Sequence, residues 1–339
     1  MVSKKVVGGI VAIIVIAAII GSIALIYTPK PTTSEQVTVI MPFVPLPVWN
    51  AIYAGIENGY YAEEGLNISI TYTPEGSFGA IKQVGTGNIM FGIASGDSII
   101  TARSQGIPVV AIYQIEHQDL FGIIVKADSN ITTPKDLEGK SIAIPGPGSP
   151  PDIAAKAIMK NSGADYTTVN FIPVGAALVP ALLENKADAI AAYIEQEEML
   201  KREGVNFRTM YAKDYGANLV TLCVITSEDM INNNPELVEK FLRATHKGYK
   251  WATSHPEEAV DIFVTKFNPA AAEHRDMHLA IWKRNIEEVI QPDKYPLGQF
   301  NKEQWETTQN ILYDIGVITK KIDINKAYTE KFLKAIGAG

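Results

Sequence analysis

The chain has 339 residues, of which 47% are hydrophobic and 20% are charged, and its formal net charge is −7. This length is enough for about two domains, and this composition excludes a globally disordered chain. The acidic balance, without a basic patch interleaved with aromatics, argues against a nucleic-acid partner. The single cysteine, Cys223, excludes an intramolecular disulfide, and its apolar setting in LVTLCVITSE predicts a buried thiol on a strand.

The N-terminal 36 residues predict a membrane anchor followed by a linker. After the cytoplasmic residues 1–5 (MVSKK), residues 6–27 form an uncharged, mostly apolar run that would cross roughly 30 Å of hydrocarbon as a helix. A cleaved secretory signal is the alternative, but its apolar core would be only about 7–15 residues long. The lysines before the run place the body on the extracytoplasmic side of the cell membrane as a single-pass protein. The polar, proline-containing residues 28–36 would form the linker.

The body alternates short β-rich runs with helical stretches, which predicts α/β units, and its last third, from Asp229 to Ile336, is nearly all helical. Breaks in the alternation near residues 115–135 and 213–219 predict two lobes joined by two crossings. Lobe one comprises residues 37–118 plus 219–339, and lobe two comprises residues 119–218. Two such lobes would form one ligand cleft at the carboxyl ends of their strands and close on it by a hinge motion.

Several stretches of the body carry a resemblance to a known family. They are IYAGIENGYYAEEGLNISI (52–70), residues 74–112, TTPKDLEGKSIAIPGPGS (132–149) and LLENKADAIAAYIEQEEMLKREG (182–204). The body resembles the solute-binding proteins of ABC transporters, and residues 243–263 and 305–318 look most like the branch for thiamine-pyrimidine precursors. More distantly similar branches take sulfonates, taurine and nitrate. The resemblance implies a periplasmic binding protein-like type II fold, an ABC permease and its ATPase as partners, no cofactor and no catalysis.

Candidate ligand-binding residues of lobe one follow its predicted strands. In MPFVPLPVW (41–49), three prolines pre-set the backbone after the first strand, and the aromatics either face the cleft or pack in the core. The resembled branch has a proline-asparagine-histidine-type loop here, in which Pro45 matches the proline and Trp49 falls at the histidine. The SGD turn after IMFGIA would present free N–H groups at a helix N-terminus, or only cap that helix. These candidates are Phe43, Pro45, Trp49, Ser95, Gly96, Asp97, Tyr113 and Gln114.

Candidates of lobe two lie in three loops. Gly148 and Ser149 belong to IPGPGSPPD, which allows close backbone approach but lacks the G-K-[ST] of a nucleotide loop. Tyr193 and Glu195 come just after a predicted strand, and the resemblance places a carboxylate near Glu195. Tyr215 belongs to a DYG triplet that resembles a tyrosine-glycine motif of the pyrimidine branch.

Other polar residues near these loops receive structural interpretations. We predict that Glu197, Glu198 and Glu203 lie on a solvated helix face, and we leave His117 open between a surface residue and a cleft donor. The pair His274 and His278 has helical spacing, but a zinc site needs more converging ligands, so we predict no metal site.

The predicted cleft loops contain aromatics and carboxylates but almost no strong cations. An oxoanion site usually has Arg or Lys side chains, whereas aromatic rings stack on flat ligands and carboxylates accept hydrogen bonds from amines. The sequence therefore predicts an amino-substituted heteroaromatic ligand, with a thiamine-pyrimidine precursor as first choice. Riboflavin and a sulfonate, taurine or nitrate remain alternatives.

An enzyme of thiamine-pyrimidine synthesis is the alternative of another class. A fold-related eukaryotic family makes the pyrimidine from its own histidine and a bound pyridoxal phosphate, looks cytosolic and carries a cysteine-rich motif. This chain has a predicted membrane span and one cysteine. We therefore predict a binding protein and not an enzyme.

Overall fold

A computed structural model describes residues 34–338. The predicted cytoplasmic residues 1–5, the anchor at residues 6–27 and most of the linker lie outside the described residues. Between residues 34 and 338, no helix combines the length and the apolar character that a membrane crossing requires.

Strands and helices alternate through most of the described body. The strands are β1 (Glu35–Pro42), β2 (Leu66–Thr73), β3 (Phe91–Ser95), β4 (Val109–Gln114), β5 (Gly122–Lys126), β6 (Ser141–Ile144), β7 (Asn170–Pro173), β8 (Ala189–Ala192), β9 (Phe207–Tyr211) and β10 (Leu222–Ser227). The α-helices are α1 (Asn50–Glu57), α2 (Tyr60–Glu63), α3 (Gly76–Gly85), α4 (Gly96–Ser104), α5 (Pro150–Asn161), α6 (Leu178–Leu183), α7 (Ile194–Arg202), α8 (Glu228–Asn233), α9 (Pro235–Ser254), α10 (Pro256–Ile262), α11 (Arg275–Arg284) and α12 (Lys302–Asp314). Short 3₁₀ turns cover Pro47–Trp49, Pro134–Leu137, Tyr166–Thr168, Ala212–Tyr215, Pro269–His274 and Ile324–Lys326, and π turns cover Phe263–Phe267 and Asn285–Ile290.

The strands form two five-stranded sheets with the orders β2-β1-β3-β10-β4 and β7-β6-β8-β5-β9. The predicted fold with two α/β sheets is confirmed; the numerical limits of the two lobes stay a prediction. Residues 115–121 and 212–221, the crossing segments, connect the first sheet to the second and back. Both sheets are mixed: β10 runs antiparallel to β3 and β4, and β5 runs antiparallel to β8 and β9.

The register brings several chain segments to one edge of the first sheet. Val39 pairs with Phe91 in parallel, so β1 and β3 end at the same edge. Leu222 pairs with Ser95 in antiparallel register, so β10 begins where β3 ends. The end of β4 reaches this edge as well, because Cys223 pairs with Gln114. Loops that follow parallel strands are the usual ligand-binding positions of such sheets.

Helix α9 anchors the helical layer against the first sheet. Phe241 stacks on Phe91 of β3 with ring centroids 4.0 Å apart, and the hydroxyls of Tyr61 and Thr245 lie 2.9 Å apart in a buried hydrogen bond. A Cβ atom at Gly248 would lie 2.3 Å from the backbone oxygen of Ala51 in α1. The two helices therefore pack backbone to backbone at this glycine.

We predict that Gly248→Ala destabilises the protein by about 1–3 kcal/mol, since α9 and α1 must separate to admit the methyl group. Urea unfolding of the purified chain measures this loss. The matched control is Lys250→Ala on the exposed face of the same helix, which should change the free energy of unfolding by less than about 0.5 kcal/mol. Equal effects of the two changes would contradict the close helix contact.

Candidate functional site

The loop after β1 presents an aromatic ring on a strained backbone. Phe43 has φ 64°, a region that bulky residues rarely adopt, and its side chain is 51% exposed. Its N–H donates to the carbonyl of Thr73 at 2.7 Å, and a Cβ at Gly76 would lie 2.8 Å from its ring. Phe43 therefore lies over the N-terminus of α3 at the edge that carries the candidate site. Pro45, two residues on, is partly exposed.

Trp49 lies inside the hydrophobic core at the end of this loop. It is 2% exposed, and its indole Nε1 donates to the carbonyl of Val44 at 3.2 Å. The ring therefore has a structural position in this state, and its role as a stacking surface for a ligand stays a prediction. The next residue, Asn50, is fully buried, and neither atom of its side-chain amide has a hydrogen-bond partner in the described residues.

The SGD turn joins β3 to α4 in close contact with the start of β10. The N–H of Gly96 lies 3.1 Å from the carbonyl oxygen of Val220 and 2.8 Å from that of Thr221. A Cβ at Gly96 would lie 2.3 Å from the Val220 side chain, so glycine is required for this approach. The hydroxyl of Ser95 bonds to the hydroxyls of Ser77 and Ser98, which occupies it within the protein.

Asp97 is the most unusual group of this turn. Its side chain is 2% exposed, and neither carboxyl oxygen has a hydrogen-bond partner in residues 34–338. Burial raises the pKa of Asp97 to about 6. A buried carboxyl group without partners is costly, and it marks a position where a ligand group could bind.

Two further carboxyl groups lie in the first crossing segment. Glu116 is 2% exposed and accepts a hydrogen bond from the N–H of Leu222 at 3.2 Å, while Asp119 is fully buried and accepts from the N–H of Phe121 at 2.5 Å. Neither residue was predicted as a candidate. Their signal in the sequence is the charged stretch EHQDL (116–120), which follows the apolar strand VVAIYQ after one intervening isoleucine.

These carboxyl groups and Glu195 interact electrostatically. Burial raises the pKa of Glu116 to about 7 and that of Asp119 well above its usual range, where Glu116 and Asp97 raise it further. Glu195, in the first turn of α7, has its pKa raised to about 7 by burial and then by Glu116. We call the four residues Asp97, Glu116, Asp119 and Glu195 the carboxyl cluster, since they follow β3, β4 and β8 in the chain and their charges act on one another's pKa values.

Tyr193 and Arg284 lie beside the carboxyl cluster. The ring of Tyr193 packs against Phe121 with centroids 4.9 Å apart, and its hydroxyl donates to Asn285 at 3.4 Å. Burial and then Glu116 raise its pKa well above the usual range. Tyr193, as predicted from its position after β8, therefore lies close to Glu195 and the first crossing segment.

Arg284, the last residue of α11, forms ion pairs with glutamates of α7, the helix that follows β8 of the second sheet. Its Nη1 lies 2.7 Å from Glu197 and 3.0 Å from Glu198, and its Nε lies 2.8 Å from Glu288. Glu197 is 3% exposed and Glu198 is 8% exposed, so the predicted solvated face is wrong for both residues. The prediction failed because the partner of these glutamates comes from a distant helix. Glu203 is exposed, as predicted.

Tyr113 and Gln114 are engaged within the first-sheet core. The hydroxyl of Tyr113 lies 3.0 Å from Nδ1 of His246. Gln114 is fully buried; its Nε2 donates to Gln304 at 2.8 Å and its Oε1 accepts from the indole of Trp305 at 3.1 Å. These contacts satisfy their polar groups within the protein, so we leave both residues out of the site proposed below.

The loop after β6 has a free hydroxyl at the start of α5. Gly148 has φ 77° and donates its N–H to Asp152 at 2.8 Å. Ser149 precedes α5, and its Oγ has no hydrogen-bond partner among the described residues. A ligand contact by these two residues stays a prediction.

Tyr215 and His117 lie in the crossing segments. Tyr215 lines a cavity of about 210 Å³ together with Arg208, Met210 and Ile131, and no member of the carboxyl cluster contributes to this cavity. His117 is 4% exposed and stacks on Tyr295 with centroids 4.8 Å apart, so its interpretation as a surface residue is wrong. Burial lowers its pKa to about 4.

The two mixed α/β sheets, joined by two crossing segments, form the fold of periplasmic-type binding proteins. The model of the family described as NMT1/THI5 like matches residues 47–259, and the chain belongs to this family. The periplasmic aliphatic sulphonate binding protein SsuA of Escherichia coli has a similar structure, with a TM-score of 0.69 and 16% identity over 86% of this chain and 91% of that one.

Three relatives with assigned names are similar along most of the chain. The formylaminopyrimidine-binding protein of Halalkalibacterium halodurans is 30% identical over 80% of this chain and 83% of its own length. The riboflavin-binding protein RibY of Chloroflexus aurantiacus is 26% identical over 89% of this chain and 87% of its own. The 4-amino-5-hydroxymethyl-2-methylpyrimidine phosphate synthase of Legionella pneumophila is 23% identical over 88% of this chain and 92% of its own.

We predict that Asp97→Asn stabilises the ligand-free protein by about 2–3 kcal/mol at pH 8. The pKa of Asp97 rises from 3.8 to about 6 on folding, so its ionisation destabilises the fold increasingly as the pH rises from about 4 to about 6, and fully above that. Denaturant unfolding at pH 4.5 and pH 8 measures the difference, which should shrink at the lower pH. A destabilised variant at pH 8 would contradict the prediction.

We predict that Arg284→Gln lowers the free energy of unfolding by about 2–4 kcal/mol, because it leaves the buried Glu197 carboxylate without its cation. The matched control is Lys302→Gln, whose exposed pair with Glu306 has a separation of 3.7 Å and should be worth less than about 0.5 kcal/mol. Urea unfolding compares the two. A loss no larger than that of the control would contradict a structural role of the Arg284 pairs.

Proposed function

We propose that the protein is an extracytoplasmic solute-binding protein of an ABC importer that binds a small heteroaromatic ligand between two lobes. The observation that carries this proposal is the unpartnered Asp97 carboxyl in the carboxyl cluster, at the edges where both sheets end. Two relatives are named for the binding of a formylaminopyrimidine and of riboflavin, and both names denote flat nitrogen heterocycles. Their likeness over most of the chain supports a ligand of this kind.

The chemistry of the residues favours an amine-bearing ring over an anion. Carboxyl groups accept hydrogen bonds from exocyclic amines and ring N–H groups, whereas they repel sulfonates and nitrate. The exposed ring of Phe43 offers a stacking surface at the same edge of the first sheet. A thiamine-pyrimidine precursor meets both conditions and is our first choice.

Opening of the lobes gives the ligand access to this site. Asp97 is 2% exposed, so no ligand reaches it while the two sides remain in contact. Arg284 of the proposed lobe one contacts Glu197 and Glu198 of the proposed lobe two through side chains alone. These contacts would break when the lobes separate. Hinge motion in the crossing segments would provide the movement.

Delivery to a permease and its ATPase would follow from a tether to the outer face of the cell membrane. The apolar run at residues 6–27, with lysines before it, supports an uncleaved anchor that leaves the body extracytoplasmic. Extraction of membranes with carbonate tests this part, because an anchored chain stays in the pellet and a cleaved one is released.

Thermal unfolding of the purified chain with candidate ligands tests the ligand class. We expect 4-amino-5-hydroxymethyl-2-methylpyrimidine or its formylamino analogue to raise Tm by several degrees at a concentration of about 100 Kd, because ligand binding to the folded state stabilises it. Taurine and nitrate should leave Tm unchanged. Stabilisation by taurine or nitrate, without an effect of the pyrimidines, would contradict the proposal.

A synthase of the thiamine pyrimidine is the second candidate, favoured by the name of the Legionella pneumophila relative. Such an enzyme would hold pyridoxal phosphate on a lysine. Incubation with pyridoxal phosphate followed by absorbance spectroscopy tests this, and we expect no internal aldimine band. A band that persists after gel filtration would favour the enzyme.

A further inference from the structure

The carboxyl cluster concentrates acidic groups without basic partners. Its members come from α4, the first crossing segment and α7, and none takes part in an ion pair of residues 34–338. Asp119 and Glu116 use backbone N–H groups as partners. Within residues 34–338 both oxygens of Asp97 are buried and form no hydrogen bond, although Ser95 and the backbone of Ser98 are near enough to lower its pKa against the larger effect of burial.

Arg284 compensates the cluster only weakly: it lowers the pKa of Glu195, but burial and Glu116 raise that pKa by more. Its guanidinium is already shared among Glu197, Glu198 and Glu288. Glu198 pairs with Lys201 as well, at 2.6 Å, so the cations of this region are matched by glutamates and form no ion pair with the carboxyl cluster in residues 34–338.

We propose that the cleft binds its ligand as a heteroaromatic cation, with Asp97 as the carboxylate that faces the positive charge. This rests on the proposed function and specifies the charge of the ligand at the same site. Several carboxyl groups in a buried place can ionise together only if positive charge enters with them. A protonated aminopyrimidine and a permanently charged N-alkylated ring share this chemistry.

The remaining polar groups around Asp97 fit this assignment. The backbone carbonyl of Thr221 accepts a hydrogen bond from the N–H of Gly96. Thr221 is 2% exposed, and its side-chain Oγ has no hydrogen-bond partner in the described residues. It supplies a hydroxyl that can accept from a ring substituent. His117 in the crossing segment has its pKa lowered to about 4 by burial, so it is neutral above pH 5 and contributes no competing charge.

Cation binding should displace protons from the cluster. In the empty cleft the pKa of Asp97 lies at about 6 and those of Glu116 and Glu195 at about 7. A bound cation favours their ionised forms, so the affinity for a permanent cation should rise as the pH rises from 5 to 8. The neighbouring Tyr193, Cys223 and Asp119 have pKa values raised well above their usual ranges. Arg284 stays charged over this range.

Isothermal titration calorimetry of the full chain tests the proposal with two probes of nearly equal shape. One is the permanent cation 4-amino-1,2-dimethylpyrimidinium, and the other is 4-amino-2-methylpyrimidine, studied at pH 8 where it is neutral. At pH 8 the wild type should bind the permanent cation at least tenfold more tightly than the neutral ring. The affinity for the permanent cation should fall at pH 5, where the carboxyl groups of the cluster are protonated. The two rings are compared only at pH 8, because the aminopyrimidine itself takes up a proton at low pH.

Asp97→Asn should reduce the preference for the cation to less than threefold while binding of the neutral ring persists. The matched control is Asp229→Asn, which changes the second residue of α8, exposed and at the opposite edge of the first sheet; it should keep the wild-type preference. Glu116→Gln, a second cluster variant of conserved shape, should also lower the preference, and circular dichroism verifies that each variant is folded.

Three results would overturn the inference. If the wild type binds the neutral ring as tightly as the cation, or if Asp97→Asn and Glu116→Gln both retain the preference, the ligand is not held as a cation and the proposed function stands. If neither ring binds and taurine does, the proposed ligand class fails together with the inference.

Discussion

The close contact between Gly96 and the start of β10 is the constraint on which the site depends. The N–H of Gly96 faces the carbonyls of Val220 and Thr221, and a Cβ at position 96 would lie 2.3 Å from the Val220 side chain. This contact fixes the returning second crossing segment against the end of β3. Asp97, Thr221 and the end of β4 are therefore held at one edge, which the first crossing segment extends toward the second sheet.

Electrostatics at this edge oppose stability. Folding transfers the Asp97 and Asp119 carboxyl groups out of water without a basic partner, and raised pKa values are the signature of that cost. Buried carboxyl groups without a basic partner occur at functional sites, where a bound ligand can supply the hydrogen-bond donor or the positive charge. The Arg284 contacts with α7 act in the opposite direction, since they place a cation beside the buried Glu197 and Glu198 carboxylates and stabilise the packing of α11 against α7.

The sequence predicted the architecture better than the site. Short apolar runs are enough to place strands such as β3 and to locate the buried Cys223 on β10. A strand that is buried on both faces has a continuous apolar sequence, and β3 is buried at every position. The same reasoning indicated the loops after the strands, and Asp97 and Tyr193 lie there. It could not find Arg284, because no local pattern reveals that a residue of α11 meets α7. Nor could it find the cover on Tyr113, which lies near the end of β4 and packs against Tyr249 of α9.

The ring of Phe43 lying on Gly76 links two positions that are far apart in the chain. Each has a positive φ, and the ring occupies the space that a side chain at residue 76 would need. A side chain at position 76 would therefore need both a backbone conformation that favours glycine and a displacement of the Phe43 ring. Because that ring is exposed, substitution at position 76 should change the shape of the aromatic surface at this edge of the first sheet.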